Sequence, residues 1–384
     1  MAIKHQTIID NKEQFIKDNN NAGYKNLSMN LNSMALESFN RVIDSGLESA
    51  DTYNGIGFVY RKEGNNEDAL DNFNKAIELD TKLSYIYNNR GAIYMRIGEY
   101  KLALKDFDKA INLTPKSPRA YNNKGIMHIY KKNYKLALKL FSEVIKLSRS
   151  LIEANENSYR SRLVEMGIDK DVLSSGGFES EEHRLALITS NGRFYQLRSK
   201  LVEAHYNRGL THMRNGNYKS AFKDFNKAVK SSPFFKEALY NRGLASMKNN
   251  KPKLALKDFN EGIMMNSSFE PALHGRGMIH MLMGRYSLAS KDFEKFIEVS
   301  SKDNEYRYNN GLFHRSHDDN GLTDLYFDDN IKYIRDYLSD NRVKTFKGKK
   351  LNKDEIIIGL EKMRKELNQI KKKTAGYPKD YREM

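Results

Sequence analysis

The sequence contains no cysteine and no tryptophan, and it has only six prolines among 384 residues. Without cysteine the chain can form no disulfide, no thiolate zinc site, no iron–sulfur cluster and no cysteine nucleophile. It also lacks an apolar run long enough to cross a bilayer. The first residues, MAIKHQTIIDNKEQF, carry charges where a secretory signal would be apolar. We therefore expect a cytoplasmic protein without a membrane partner.

The common catalytic motifs are also missing from the sequence. It contains no GxxxxGK[ST], GxSxG or HExxH pattern and no dinucleotide-binding glycine fingerprint. His314, His317, Asp318 and Asp319 are the one cluster of metal-ligating residue types, but their spacing matches no zinc pattern. We interpret them as surface side chains. The sequence therefore predicts a protein that is not an enzyme and needs no cofactor or metal.

The chain is basic, with a formal net charge of +16. Residues 342–384 contain 14 Lys and Arg against 6 Asp and Glu, which is half of the excess. Such a balance favours acidic peptides, nucleic acid or other anionic partners. Nucleic-acid binding by this segment is the weaker alternative, because only Phe346, Tyr377 and Tyr381 could stack on bases.

Glycine, alanine and phenylalanine recur with a period of 34 residues in two blocks of the chain. In both blocks an alanine follows the glycine by 12 residues, and a phenylalanine follows that alanine by four. Such a period indicates a repeat architecture. The glycines are Gly23, Gly57, Gly91, Gly125, Gly209, Gly243 and Gly277, and the phenylalanines are Phe39, Phe73, Phe107, Phe141, Phe225, Phe259 and Phe293.

Residues 84–117 show what one period predicts. Tyr87, Gly91 and Tyr94 have helical spacing and form one face of a first helix. Gly98 is suited to ending that helix with a left-handed residue, and Pro115 to ending the unit. Between them a second helix presents an apolar side formed by Tyr100, Ala103, Leu104, Phe107, Ala110 and Ile111. Neither helix can bury its apolar face alone, so successive units should stack.

This pattern closely resembles the tetratricopeptide repeat. The resemblance covers four units (16–49, 50–83, 84–117 and 118–151) and three more (202–235, 236–269 and 270–303), after a lead-in of residues 1–15. It departs from the family at three turns, where Asn30, Lys132 and Asn250 replace glycine. The resemblance implies an all-α, right-handed α-solenoid that binds a protein partner.

Two segments fall outside the repeat register. Residues 152–201 predict a degenerate helical unit with an insertion, or alternatively an inserted hairpin turning at Asn191-Gly192. Residues 304–384 predict an acidic loop region and then a basic helix with an apolar stripe. That helix would cap the last repeat, or it would bind a partner or a second copy. The stripe comprises Ile356, Leu360, Met363, Leu367 and Ile370.

The resemblance also implies that the first helices line a concave groove, and two rows of residues are candidates for binding there. Carboxamides stand two residues before the repeat glycine, where related solenoids contact a peptide backbone: Asn89, Asn123, Asn207 and Asn241. Cations stand five residues after that glycine: Lys62, Arg96, Arg214 and Lys248. The alternative interpretation is that asparagine is simply common at this repeat position and that the cations form a solvated face. A row of Arg and Lys directly before the glycine, including Arg90, is interpreted as packing.

The family's clamp for chaperone C-termini is incomplete in every unit, because Asn54, Asn88 and Asn122 stand where it needs lysine. The sequence as a whole therefore predicts a non-enzymatic scaffold or adaptor that binds an extended, acidic protein segment in the groove. The alternatives are nucleic-acid binding through the basic C-terminal segment and a regulatory subunit of an enzyme complex. The oligomeric state does not follow from the sequence.

Overall fold

The computed structural model describes residues 2–165 and 192–283, some residues between 285 and 299, and residues 345–346 and 349–350. The chain divides into two compact units, Met1–Thr211 and His212–Met384. In the first unit the helices are α1 (Ala2–Ser28), α2 (Asn32–Asp44), α3 (Ala50–Glu63), α4 (Asn66–Leu79), α5 (Ser84–Arg96), α6 (Tyr100–Leu113), α7 (Pro118–Tyr130) and α8 (Tyr134–Glu165). Helix α9 (Gly192–Arg214) contains the boundary, and the second unit continues with α10 (Tyr218–Ser231), α11 (Lys236–Lys248), α12 (Pro252–Met265) and α13 (Glu270–Leu282).

Helices pack in chain order within each unit. In the first unit α1 packs on α2, α3 on α4, α5 on α6 and α7 on α8, and each pair contacts the next. In the second unit α11 packs on α10 and α12, and α13 packs on both α11 and α12. Stacking of helix pairs is what a 34-residue helical period requires, because each pair completes the apolar interior of its neighbour. The all-α repeat fold is therefore confirmed.

The recurring glycine and phenylalanine pack directly on each other. A Cβ atom added at Gly91 in α5 would lie 2.8 Å from Cε1 of Phe107 in α6, and one added at Gly243 would lie 2.6 Å from Cε1 of Phe259. Real Cβ atoms do not approach a ring so closely, so the helices of a pair can come together only where the first lacks a side chain. The repeat phenylalanines Phe39, Phe73, Phe107, Phe141, Phe225 and Phe259 are fully buried.

A left-handed residue links the two helices of each of six repeats. The N–H of the following residue then bonds back across the turn, as Glu99 N–H does to the Tyr94 carbonyl at 2.8 Å. Lys132 adopts this conformation as well, and Asn133 N–H makes the corresponding hydrogen bond to the His128 carbonyl at 2.8 Å. The left-handed residues and their φ angles are Asn30 (60°), Gly64 (85°), Gly98 (86°), Lys132 (57°), Gly216 (74°) and Asn250 (58°).

The helices extend beyond the repeat boundaries in three places. Helix α1 begins at Ala2, so the lead-in continues the first repeat helix, and α8 runs on to Glu165. Helix α9 begins at Gly192, so the hairpin strand considered after Asn191 is not formed. Residues 166–191, the cluster from His314 to Asp319 and the C-terminal helix of 352–373 lie outside the described residues. So does the basic segment of 342–384, except for two short strands.

Those strands are the one departure from helix and turn in the described part of the chain. Thr345–Phe346 pairs antiparallel with Lys349–Lys350, with Thr345 opposite Lys350 and Phe346 opposite Lys349. The sequence does not predict them, since two strands of two residues show no detectable period. Among the described residues, no helix is both long and apolar enough to cross a bilayer.

Candidate interaction surface

Asparagines of successive first helices bind one another in the first unit. The Asn89 amide Nδ2 donates to Oδ1 of Asn54 at 2.9 Å, and both side chains are buried. The partner lies 35 residues back, in the preceding repeat. We call this row the amide ladder; its other rungs are Asn123 to Asn88 (3.0 Å) and Asn207 to Asn122 (3.1 Å). The ladder fixes the register between neighbouring first helices, with each rung contributing about 1 kcal/mol.

Three of the four candidate carboxamides, Asn89, Asn123 and Asn207, are therefore donors within the stack. The fourth, Asn241 in the second unit, is buried, and its Nδ2 donates to the Glu237 carbonyl at 2.9 Å one turn earlier in α11. A peptide on this face would meet amides that already bond to the protein.

The candidate cations lie at the ends of the first helices. Lys62 Nζ donates to the Leu27 carbonyl at 3.0 Å and to Asn30 Oδ1 at 2.8 Å. Arg96 Nη1 repeats this contact one repeat later, on the Arg61 carbonyl at 3.0 Å. A cation is favourable there because the helix dipole and the unsatisfied carbonyls are negative.

The positions of Lys62 and Arg96 are thus fixed by the C-terminus of the preceding first helix. Lys62 remains exposed and Arg96 half-buried. In the second unit Arg214 and Lys248 are half-buried, and Lys248 Nζ lies 6.0 Å from the ring centroid of Tyr218.

A tyrosine–aspartate cluster joins the starts of α3 and α5 to Tyr24 in the last part of α1. The Tyr85 hydroxyl donates to the Asp51 carboxylate, the Tyr24 hydroxyl to the Asp51 carbonyl at 3.0 Å, and Asn54 Nδ2 to the Tyr24 oxygen at 2.9 Å. Burial raises the pKa of Tyr24 to about 12. Burial, and then the hydrogen bond to Asp51, also raise the pKa of Tyr85. Both phenols remain protonated, and the Asp51 charge is engaged by a donor.

The arginine directly before the repeat glycine makes a contact that the sequence analysis missed. Arg90 Nε and Nη2 bind both carboxylate oxygens of Asp106 at 2.8 Å, and Nη1 donates to Asn74 Oδ1 of the preceding repeat at 2.8 Å. We call this contact the arginine brace. It recurs at Arg242 with Asp258 and Asn226, and at Arg276 with Asp292 and Asn260.

The brace joins the two helices of a repeat to the repeat before. Its sequence signal is an aspartate 16 residues after the arginine and an asparagine 16 residues before it. The hydrogen bond to Asp106 raises the pKa of Arg90. The pKa of Asp258 is raised because burial outweighs the lowering effect of Arg242. The buried Asp258 carboxylate therefore depends on Arg242 to remain ionised.

In several repeats, histidine replaces the tyrosine that stands three residues after the repeat glycine. His212 Nε2 lies 3.9 Å from Asp224 Oδ2, and His280 Nε2 lies 3.9 Å from Asp292 Oδ2. Another histidine, His274, is fully buried in α13, and burial lowers its pKa to about 4. Within the described residues, no group of three His, Asp or Glu side chains is arranged to hold a metal.

Comparison with protein-family models places tetratricopeptide repeats on this register. A TPR repeat model matches residues 57–98. Tetratricopeptide repeat models match residues 84–117 and 202–235, and 118–151 and 270–303. Four of these ranges coincide with 34-residue units read from the sequence. Among proteins with curated descriptions, none matches this chain.

Several solved structures are similar to this chain at low sequence identity. A tetratricopeptide repeat protein from Parabacteroides merdae is 18% identical, with a TM-score of 0.47 over 74% of this chain and 93% of the other. YrrB, described as a TPR protein with an unusual peptide-binding site, is 18% identical, with a TM-score of 0.39 over 59% and 91%. PilF of Pseudomonas aeruginosa is 15% identical, with a TM-score of 0.47 over 65% and 91%.

The Gly–Phe contacts, the left-handed turns and the matched repeat models agree with one another along the chain. Residues 57–151, 202–235 and 270–303 of the chain therefore consist of tetratricopeptide repeats, which support a scaffold for protein–protein interaction.

Proposed function

We propose that this protein is a non-catalytic scaffold whose first-helix face binds an extended, acidic protein segment. The observation that carries the proposal is the tethering of Lys62 and Arg96 to the ends of preceding helices, where they keep access to solvent. A cation whose position is already fixed loses little side-chain entropy when a guest carboxylate arrives. Complementary charge also favours acidic guests over basic ones.

The repeat spacing suits an extended guest. Packed helices lie about 8–10 Å apart, and an extended chain rises about 3.3 Å per residue. Three guest residues therefore span one repeat, so an acidic residue at every third position could meet a cation in each. The amide ladder supports this proposal because it holds the first helices in register beneath the guest.

Fluorescence anisotropy with labelled 12-residue peptides tests the proposal. One peptide set has Asp or Glu at every third position, and the matched set has Asn or Gln there. We expect the acidic set to bind, and Lys62→Glu combined with Arg96→Glu to weaken binding by about tenfold or more, which is about 1.4 kcal/mol. Arg96→Lys should retain most of the binding because it keeps the charge.

The matched control is Lys12→Glu combined with Lys17→Glu, which makes the same charge change at exposed positions of α1. It should bind like the wild type. Equal binding of the acidic and amide peptides, or equal losses in the two double variants, would contradict the proposal. Circular dichroism of each variant establishes that the helices are intact.

A further inference from the structure

The second helices of the repeats expose one stripe of side chains on the side away from the buried alanine and phenylalanine. In α10 the four positions of this stripe are Lys219, Lys223, Lys227 and Lys230, all exposed. In α12 the first two positions are Lys253 and Lys257, also exposed. Residues four apart on a helix are separated by a rise of about 6 Å. We call these six residues the lysine array.

The array has almost no acidic counterpart. In the part of the second unit that the structure describes, none of the six lysines is within salt-bridge distance of a carboxylate. Glu261 is the only carboxylate in the stripe of α10 and α12, and it is half-buried. Lysines on an ordinary solvated face usually alternate with acids. The array is therefore a concentrated positive surface.

The repeat frame does not require this charge. In α4 of the first unit the same four positions are Glu67, Asp71, Lys75 and Glu78, so that face is acidic. In α6 and α8 of the same unit lysine is again frequent at these positions: Lys101, Lys105, Lys109, Lys135, Lys139 and Lys146. Helices α4 and α10 nevertheless bury the same alanine and phenylalanine positions. The charge of the stripe is thus independent of packing, and the lysines need an explanation outside the fold.

Exposed apolar side chains lie among the lysines. Met264 is 87% exposed and occupies the stripe position of α12 that corresponds to Lys230. Leu254, beside Lys253, is 43% exposed, and Phe234 in the loop after α10 is 85% exposed. Cations together with exposed apolar groups suit a lipid headgroup boundary. Nucleic-acid binding usually adds arginine forks or a series of aromatic rings, and the six array residues contain neither.

We propose that the lysine array is a docking surface for an anionic membrane. The ammonium groups would contact headgroup phosphates and carboxylates, while Met264 and Phe234 enter the boundary with the acyl chains. Each lysine near an anionic leaflet contributes about 1 kcal/mol, so the array can hold the protein without a spanning helix. The proposal departs from the expectation of no membrane partner, which rested on the lack of a spanning run, and it does not depend on the groove.

Co-sedimentation of the full-length protein with vesicles tests the proposal. Phosphatidylcholine vesicles are compared with vesicles that also contain phosphatidylserine, at several salt concentrations. The array variant is Lys219→Gln, Lys223→Gln and Lys227→Gln. The matched control is Lys12→Gln, Lys17→Gln and Lys25→Gln, which removes the same charge from exposed positions of α1. Met264→Ser tests the apolar contact.

We expect binding to the phosphatidylserine vesicles only, with a loss of about a hundredfold in the array variant and less than about twofold in the control. Met264→Ser should weaken binding by a smaller factor. Absence of wild-type binding, or equal losses in the two triple variants, would overturn the proposal. A gel shift with a 30-nucleotide single strand of nucleic acid tests whether the array binds nucleic acid instead of a membrane. If the array variant loses that shift but keeps its vesicle binding, the surface is a nucleic-acid site instead.

Discussion

The helix pair α3–α4 in the first unit and the pair α11–α12 in the second share one apolar frame and differ in their polar groups. Ala69, Phe73 and Ala76 of α4 are buried, as are the corresponding Ala255, Phe259 and Gly262 of α12. Five other equivalent positions differ between the two pairs. With the α3–α4 residue first and the α11–α12 residue second, they are Ile56 and Arg242, Asn72 and Asp258, Asn54 and Tyr240, Gly64 and Asn250, and Asp71 and Lys257.

This comparison shows which positions packing determines. The glycine, alanine and phenylalanine positions are set by close contact between helices and change little along the chain. The polar positions change from repeat to repeat, because each needs only a partner in its own or the preceding repeat. Function is therefore to be sought at positions that vary within a constant frame.

The largest expected effect concerns the residue three positions before the repeat glycine, where the repeats differ. The first unit has Asn54, Asn88 and Asn122 there, whereas the last repeat has His274, which packs against Phe296 with ring centroids 5.7 Å apart. Because burial lowers the pKa of His274 from 6.5 to about 4, the unfolded chain binds a proton that the folded chain does not. The contribution of the neutral His274 to the free energy of unfolding is complete above pH 6.5. It decreases by about 3 kcal/mol as the pH falls toward 4.

Urea unfolding at pH 7.5, 5.5 and 4.5 checks this expectation. His274→Asn, which restores the residue of the first unit, should reduce the loss of stability on acidification. The wild type and the variant share all other titrating groups, so the difference between their pH profiles isolates His274. Parallel profiles for the two proteins would show that His274 does not carry the effect.

The next effect concerns the arginine brace, which α3–α4 lacks. Arg242→Ile should destabilise the second unit by about 2–3 kcal/mol, because it leaves the buried Asp258 without its cation. Adding Asp258→Asn reproduces the Ile56 and Asn72 combination of the first unit and should recover part of the loss. Urea unfolding of the wild type, both single variants and the double variant measures the coupling energy. Additive effects of the two substitutions would mean that the brace is not a coupled pair.

The repeat frame could be predicted from the sequence, whereas most polar contacts could not. Gly91 and Phe107 follow from a period that recurs seven times, and their contact follows from pairing the two helices. The partner of Asn89 lies in the preceding repeat, and an amide can equally bind a guest, so spacing alone did not decide its role. The sequence favours packing for Arg90, because its partners Asp106 and Asn74 stand 16 positions away on other helices. His274 carries no sequence signal, because burial alone shifts its pKa.

The smallest effect concerns the turn, where α3–α4 has Gly64 and α11–α12 has Asn250, both left-handed. A Cβ atom added at Gly64 would have no atom within 4 Å, so a substitution there changes only backbone strain. We expect Gly64→Ala to cost about 1 kcal/mol, and Asn250→Gly to change stability by a few tenths, since asparagine tolerates this conformation. Lys132→Gly should gain about 1 kcal/mol for the same reason. Urea unfolding midpoints measure all three, and an unchanged midpoint for both Gly64→Ala and Lys132→Gly would show that the left-handed turn is not a source of strain.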